Sequence, residues 1–176
     1  AGPAATTCKA CGAGKYTASP GQSQCQPCVA GQYAASPGQS KCQSCAPGTA
    51  AAGPAATTCQ SCAAGTAAAG PAATKCTSCV GGQYAASPGE SQCQSCAPGT
   101  ASDSIGAKTA STCQPCAAGT AAAGPAATTC QPCSANSYAP NQGTASCLPC
   151  PTGELAPPKS ARCFDLNQLL QQTTQL

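Results

Sequence analysis

Residues 28–45 read CVAGQYAASPGQSKCQSC, and this stretch decides the fold. It opens on Cys28, has Gly31 three residues later and Tyr33 two beyond that, turns through Ser36-Pro37-Gly38, and closes on Cys42 and Cys45. The same spacing recurs along the chain. Cysteines stand at 8/11, 25/28, 42/45, 59/62, 76/79, 93/96, 113/116, 130/133 and 147/150, followed by Cys163. The nine C-x-x-C pairs keep a period of seventeen, interrupted by a three-residue insertion before Cys113 and a shorter last segment. Self-similarity at a short fixed period marks a repeat array in which each unit touches mainly its neighbours. The expected fold is a small disulfide-rich repeat protein, an elongated rod of about nine 17-residue disulfide-closed hairpins or loops with little regular secondary structure. Residues 1–163 carry the repeats, the first of them incomplete, and residues 164–176 form a Leu/Gln-rich tail.

Composition agrees. The 176 residues include 40 Ala and 19 Cys, while Ile, Leu, Val and Phe together supply ten. So few large aliphatics cannot build an ordinary core, and a covalent framework must replace it. The net charge is +3 and the seven basic residues are scattered singly, so there is no basic stripe for nucleic acid or anionic lipid. The longest apolar runs are Ala triplets, far short of the roughly 20 residues of a membrane span.

Three positions within the repeat are constrained. Three residues after the second Cys stand Gly14, Gly31, Gly48, Gly65, Gly82, Gly99, Gly119 and Gly153, with Asn136 the one exception. Asn is the side chain most at ease with positive φ, so this position is expected to be left-handed. Two residues on come Tyr16, Tyr33, Ala50, Ala67, Tyr84, Ala101, Ala121, Tyr138 and Leu155. This slot reads as a packing position, since Ala and Leu fill it too; the other reading is a surface row of aromatics for a sugar or partner. Pro20, Pro37, Pro54, Pro71, Pro88 and Pro125 mark the loop tip, as S-P-G, which favours a type II turn, or G-P-A, which favours type I. Hairpin arms of four to six residues are expected on either side.

The variation in spacing favours one disulfide scheme. The gap inside C-x-x-C never varies, whereas the segment between pairs runs from twelve to sixteen residues, and a closed loop tolerates length change cheaply. This favours Cys11–Cys25, Cys28–Cys42, Cys45–Cys59, Cys62–Cys76, Cys79–Cys93, Cys96–Cys113, Cys116–Cys130, Cys133–Cys147 and Cys150–Cys163. Linkage of alternate cysteines across two loops is the competing scheme. The favoured pairing leaves Cys8 unpaired within this chain. AGPAATTC reads as the second half of a loop, so the expectation is that the chain is the C-terminal part of a longer array.

The pattern C-x-x-G-x-Y-x-x-S-P-G-x-S-x-C-x-x-C, as in Cys28 to Cys45, resembles the ephrin-receptor-like cysteine-rich repeats of extracellular proteins. More loosely it is similar to the disulfide ladders of tumour necrosis factor receptors. The resemblance spans residues 8–163 and implies a secreted or surface-displayed rod of disulfide-bonded hairpins without catalysis. Several loops lose the Tyr, and 96–113 loses the Pro, departures that point to a spacer or packing role in place of receptor recognition. Such repeats also occur in surface proteins of protists, and the Ala, Pro, Ser and Thr bias resembles that of algal extracellular-matrix proteins.

Other chemistries are poorly supplied. C-x-x-C spaced by thirteen residues lies near zinc-ribbon spacing, but four-thiolate sites would each carry two net negative charges with few cations nearby. Nine near-identical C-x-x-C copies suggest scaffolding in place of redox catalysis. There is no His, and Glu90, Asp103, Glu154 and Asp165 are isolated in sequence, so no enzyme, cofactor or metal site is expected. Ice binding is a lesser reading: Thr57/Thr58 and Thr128/Thr129 are adjacent pairs, yet no T-x-T ladder runs along the chain. O-linked glycans are plausible by composition, with Thr74, Thr128 and Thr129 as candidate acceptors.

The tail FDLNQLLQQTTQL holds four of the six leucines. Asp165 with Gln168 resembles a capping box, and Leu166, Leu169 and Leu170 would share one face of a short helix. This segment is expected to dock on a neighbouring subunit or to cap its own chain. The function expected is that of an extracellular, cell-surface structural protein, a building block of a fibre, filament or matrix whose partner is itself or a sister subunit. A receptor or adhesion ectodomain stalk is the alternative.

Overall fold

The computed structural model describes residues 9–19, 22 and 24–165. The chain forms two compact units, Ala1–Ser78 with Ser87–Cys93, and Cys79–Ala86 with Gln94–Leu176. Both are built from one element, a short antiparallel hairpin closed by a disulfide. In the Cys28 repeat Gln32–Tyr33 pairs with Gln43–Ser44, Gln32 opposite Ser44 and Tyr33 opposite Gln43. In the Cys116 repeat Thr120–Ala121 pairs with Gln131–Pro132 in the same register. Among the described residues there are nine such two-stranded sheets, and one turn of 3-10 helix, Ala110–Thr112, in the inserted loop.

The arms are two residues long, not four to six. The reason lies in where the amides go. Just past the first arm the Ala34 amide donates to the Ala56 carbonyl at 3.1 Å, and the Gly38 amide at the loop tip donates to the Cys11 carbonyl at 2.8 Å. Both bonds run to other repeats, so the hairpin stops where pairing between repeats begins.

A tight turn precedes each first arm. The Gln32 amide donates to the Val29 carbonyl at 3.1 Å, which makes Gly31 the third residue of the turn at φ 82. Left-handed φ at that residue alone defines a type II turn. Asn136 holds the same place at φ 62, so the Gly-or-Asn restriction does report a left-handed backbone. Where Thr follows the turn its hydroxyl reinforces it: Thr49, Thr66, Thr100 and Thr120 each donate Oγ1 to the carbonyl three residues back at 2.7–2.8 Å.

The core consists of small side chains. The second Cys of each pair from Cys11 to Cys133 is at most 2% exposed. Ala34, Ala51, Ala68, Ala85, Ala122, Ala139 and Ala156 are buried as well. Disulfide sulfur and methyl groups fill a space too narrow for Leu or Phe, in keeping with a composition that has so few of them.

The loop tips depart from expectation in one respect. Gly38 and Gly89, which follow Pro in S-P-G, have positive φ as foreseen, but so do Ala55, Ala72 and Ala126 of G-P-A, each at φ 58. The type I turn expected for G-P-A is therefore corrected. Contacts with other repeats fix this residue and override the local preference of Ala, at a cost of roughly 1–2 kcal/mol each. Thr57/Thr58 and Thr128/Thr129 lie in bends outside the strands.

The short C-terminal helix is not supported. Phe164–Asp165 form the second arm of the last hairpin, with Asp165 opposite Glu154 and Leu155 opposite Phe164. The proposed helical face of Leu166, Leu169 and Leu170 lies outside the described residues, as do Cys8 and Pro20. No helix among the described residues is long and apolar enough to cross a membrane.

Candidate functional site

The sequence concentrates its restrictions on the surfaces where repeats meet. Four backbone hydrogen bonds recur at these junctions. For the step from the Cys11 to the Cys28 repeat, Gly14 donates to the Ala34 carbonyl at 2.8 Å, Cys28 to Gly14 at 2.9 Å, Thr17 to Gln39 at 3.2 Å, and Gly38 to Cys11 at 2.8 Å. The step from Cys96 to Cys116 repeats the set: Gly99 to Ala122, Cys116 to Gly99, Ser102 to Ala127 and Ala126 to Cys96, at 2.8–3.0 Å. The last two of those reach Ala126 and Ala127 across the inserted residues, so the three-residue insertion is absorbed without breaking the ladder. Backbone bonds of this kind depend on register and not on side-chain identity, which is why Tyr-bearing and Ala-bearing repeats interchange.

The glycine is held by more than its φ. A β-carbon on Gly14 would overlap the carbonyl oxygen of Ala55, two repeats further on. The same holds for Gly31 against Ala72, Gly48 against Gly89, Gly82 against Ala126, Gly99 against Gly143, and Gly119 against Lys159. Each of these six repeats therefore touches its second neighbour as well as its first, an addition to the mainly nearest-neighbour contacts expected from the period. A β-carbon on Gly153 would meet nothing among the described residues within 4 Å. Gly14 to Gly119 are buried, whereas Asn136 and Gly153 are exposed.

The disulfides bind the two ends of each hairpin. Cys11–Cys25, Cys28–Cys42, Cys45–Cys59, Cys62–Cys76, Cys96–Cys113, Cys116–Cys130, Cys133–Cys147 and Cys150–Cys163 are formed, with Cα atoms 5.5–5.7 Å apart. Cys79 and Cys93 are disulfide-bonded as well. The described cysteines are thus paired with one another as disulfides. Each bond closing a loop of about 15 residues stabilises the fold by roughly 3 kcal/mol through the unfolded state.

The tyrosines are half-buried at the edge of this framework. Tyr16 donates its hydroxyl to Gln26 Oε1 and Tyr33 to Gln43 Oε1, both at 3.0 Å across the hairpin. The backbone at Tyr33 forms a parallel bridge with that of Ala56 in the next repeat, as Tyr84 does with Ala107 and Tyr138 with Ser160. These contacts fit the packing reading of the slot. Thr74, Thr128 and Thr129 are exposed. Thr128 and Thr129 border an open groove of about 530 Å³ with Ser102, Asp103, Thr112 and Gln114.

One position escaped notice in the sequence. The residue after the Tyr/Ala slot is Thr17, Ala34, Ala51, Ala68, Ala85, Ser102, Ala122, Ala139 and Ala156, always small, and from Ala34 onward always buried. The aligned repeats contain it, but an Ala-rich chain hides a constrained Ala among unconstrained ones.

Residues 65–113 and 119–163, together more than half of the chain, match the family model described as tyrosine-protein kinase ephrin type A/B receptor-like. The chain belongs to this family. A search of the curated proteins found no match. Membership points to an extracellular, disulfide-rich domain. It also places Gly65, Gly82, Gly99, Gly119, Asn136 and Gly153 within matched ephrin receptor-like segments. The Cys11, Cys28 and Cys45 repeats lie outside the match but share the hairpins, disulfides and junction bonds.

Proposed function

We propose that this ephrin receptor-like chain is an extracellular structural repeat without catalytic activity, a building block of a surface fibre or matrix. One observation supports it above others: the same backbone bonds and glycine–carbonyl contacts recur from repeat to repeat, so the restricted positions serve continuity and not a local pocket. A structure whose described junctions are held by backbone bonds and whose hairpins are closed by disulfides is suited to bear load. Its partners are copies of itself or sister subunits, engaged through residues 164–176, with O-linked glycans carried on exposed Thr such as Thr74, Thr128 and Thr129.

The test is assembly of the oxidised chain, followed by sedimentation velocity and negative-stain microscopy over a wide concentration range. Ordered fibres or sheets are the expected result, lost on deletion of residues 164–176. Single particles at every concentration, together with saturable binding to a protein or cell surface, would replace this reading with that of a receptor or adhesion stalk. The family match is what supports that second reading.

A further inference from the structure

In the six repeats where the contact is described, the turn glycine is covered by a carbonyl two repeats on, so closely that no β-carbon fits. The Cys133 repeat has Asn136 there instead. Asn136 retains the left-handed φ, at 62, and its turn is intact, with Ser137 donating to the Ser134 carbonyl at 3.2 Å. Of the residues with a side chain, Asn is among those that tolerate this φ best, so the repeat keeps its fold while gaining a β-carbon and an amide. Both Asn136 and the following Gly153 are exposed.

We propose that Asn136 closes this end of the ladder by barring another ephrin receptor-like repeat, from a second copy or any like chain, from stacking after the Cys150 repeat. The geometry follows from the register. The amide of Ala55 donates to the Cys28 carbonyl one repeat back, and that bond fixes the Ala55 carbonyl over Gly14. A repeat added after Cys150 would make the equivalent bond to the Cys150 carbonyl. Its loop-tip carbonyl would then fall on residue 136 and meet the Asn side chain. An open row of backbone donors and acceptors is a template for unwanted addition, and a side chain that obstructs it protects the end. The proposal does not rest on fibre formation: fibres with Asn136 intact would grow through other surfaces.

The test grafts a repeat onto the full chain. Residues 166–176 are replaced by CAPGTAAAGPAATTC, the sequence of residues 45–59, which puts its first cysteine at position 166 and its glycine three residues later. The graft is made with Asn136 retained, with Asn136→Gly and with Asn136→Ala, and the thermal midpoint of the parent repeats confirms that each chain is folded. Amide hydrogen exchange of the grafted segment is the readout. Protection roughly tenfold or more higher with Asn136→Gly than with Asn136 or Asn136→Ala is expected, the change that crowding by one side chain produces. Equal protection in all three would overturn the proposal. So would equal absence of protection, since the block would then lie elsewhere.

Discussion

The carbonyl oxygen of Ala55 stands where a β-carbon of Gly14 would be, although their two repeats are not adjacent. Glycine is required there twice over, by its φ and by this approach. The two causes can be separated. Gly31→Ala should cost roughly 2–5 kcal/mol, combining about 1–2 kcal/mol for the left-handed backbone and about 1–3 kcal/mol for crowding against Ala72. Gly153→Ala, with open space around it, should lose only the first part, and Gly53→Ala should stay within about 0.5 kcal/mol of the parent. Denaturant midpoints by circular dichroism rank the three; Gly31→Ala no worse than Gly153→Ala would remove the second-neighbour contact from the account.

Ala72 makes the opposite case. Its φ of 58 is costly for an L side chain, and Gly would relieve it. Against this relief of roughly 1–2 kcal/mol stands the extra chain entropy of Gly, about 0.4–1 kcal/mol. Ala72→Gly should therefore be neutral to stabilising by about 1 kcal/mol. Ala68→Gly in the same repeat should lose about 1 kcal/mol or more, because that methyl is buried. Thermal unfolding of the pair gives the sign of each.

Burial of the small position predicts intolerance of size. Ala85 is fully buried, and Ala85→Leu should destabilise by roughly 1–3 kcal/mol, whereas Ala52→Leu at an exposed site should do nothing measurable. Equal stability of the two variants would contradict the packing described.

The disulfides set the response to reagents. Replacing Cys62 and Cys76 together by Ala should cost roughly 3 kcal/mol. Excess reductant should unfold the chain while a chelator leaves it unchanged. A non-reducing peptide map should recover Cys28–Cys42, Cys45–Cys59 and their counterparts. Loss of structure in chelator with intact thiols would return the zinc reading.

Several of these features were legible in the sequence. Asn136 among eight glycines announced a left-handed turn, because few residue types share that conformation. Constant C-x-x-C gaps beside variable loops pointed to pairing across each loop, since loop length is cheap to vary. The G-P-A tips misled because Ala55 is fixed by Cys28 and Gly14 and not by Pro54, and contacts between repeats leave no local trace. Arm length misled for the same reason: Ala34 looks like a strand residue, yet its amide belongs to Ala56. The second-neighbour contact explains a restriction that period and composition record without its cause.

That contact sets a minimum size for an autonomous piece. A fragment of two repeats can form the junction bonds but leaves its turn glycines bare, and only with a third repeat is one glycine covered. Excised segments should therefore gain stability sharply between two and three repeats and then rise evenly. By the same reasoning, damage to one loop tip in the middle of a compact unit is felt in the two repeats before it, so such a piece should fail over several repeats at once when it is pulled or heated.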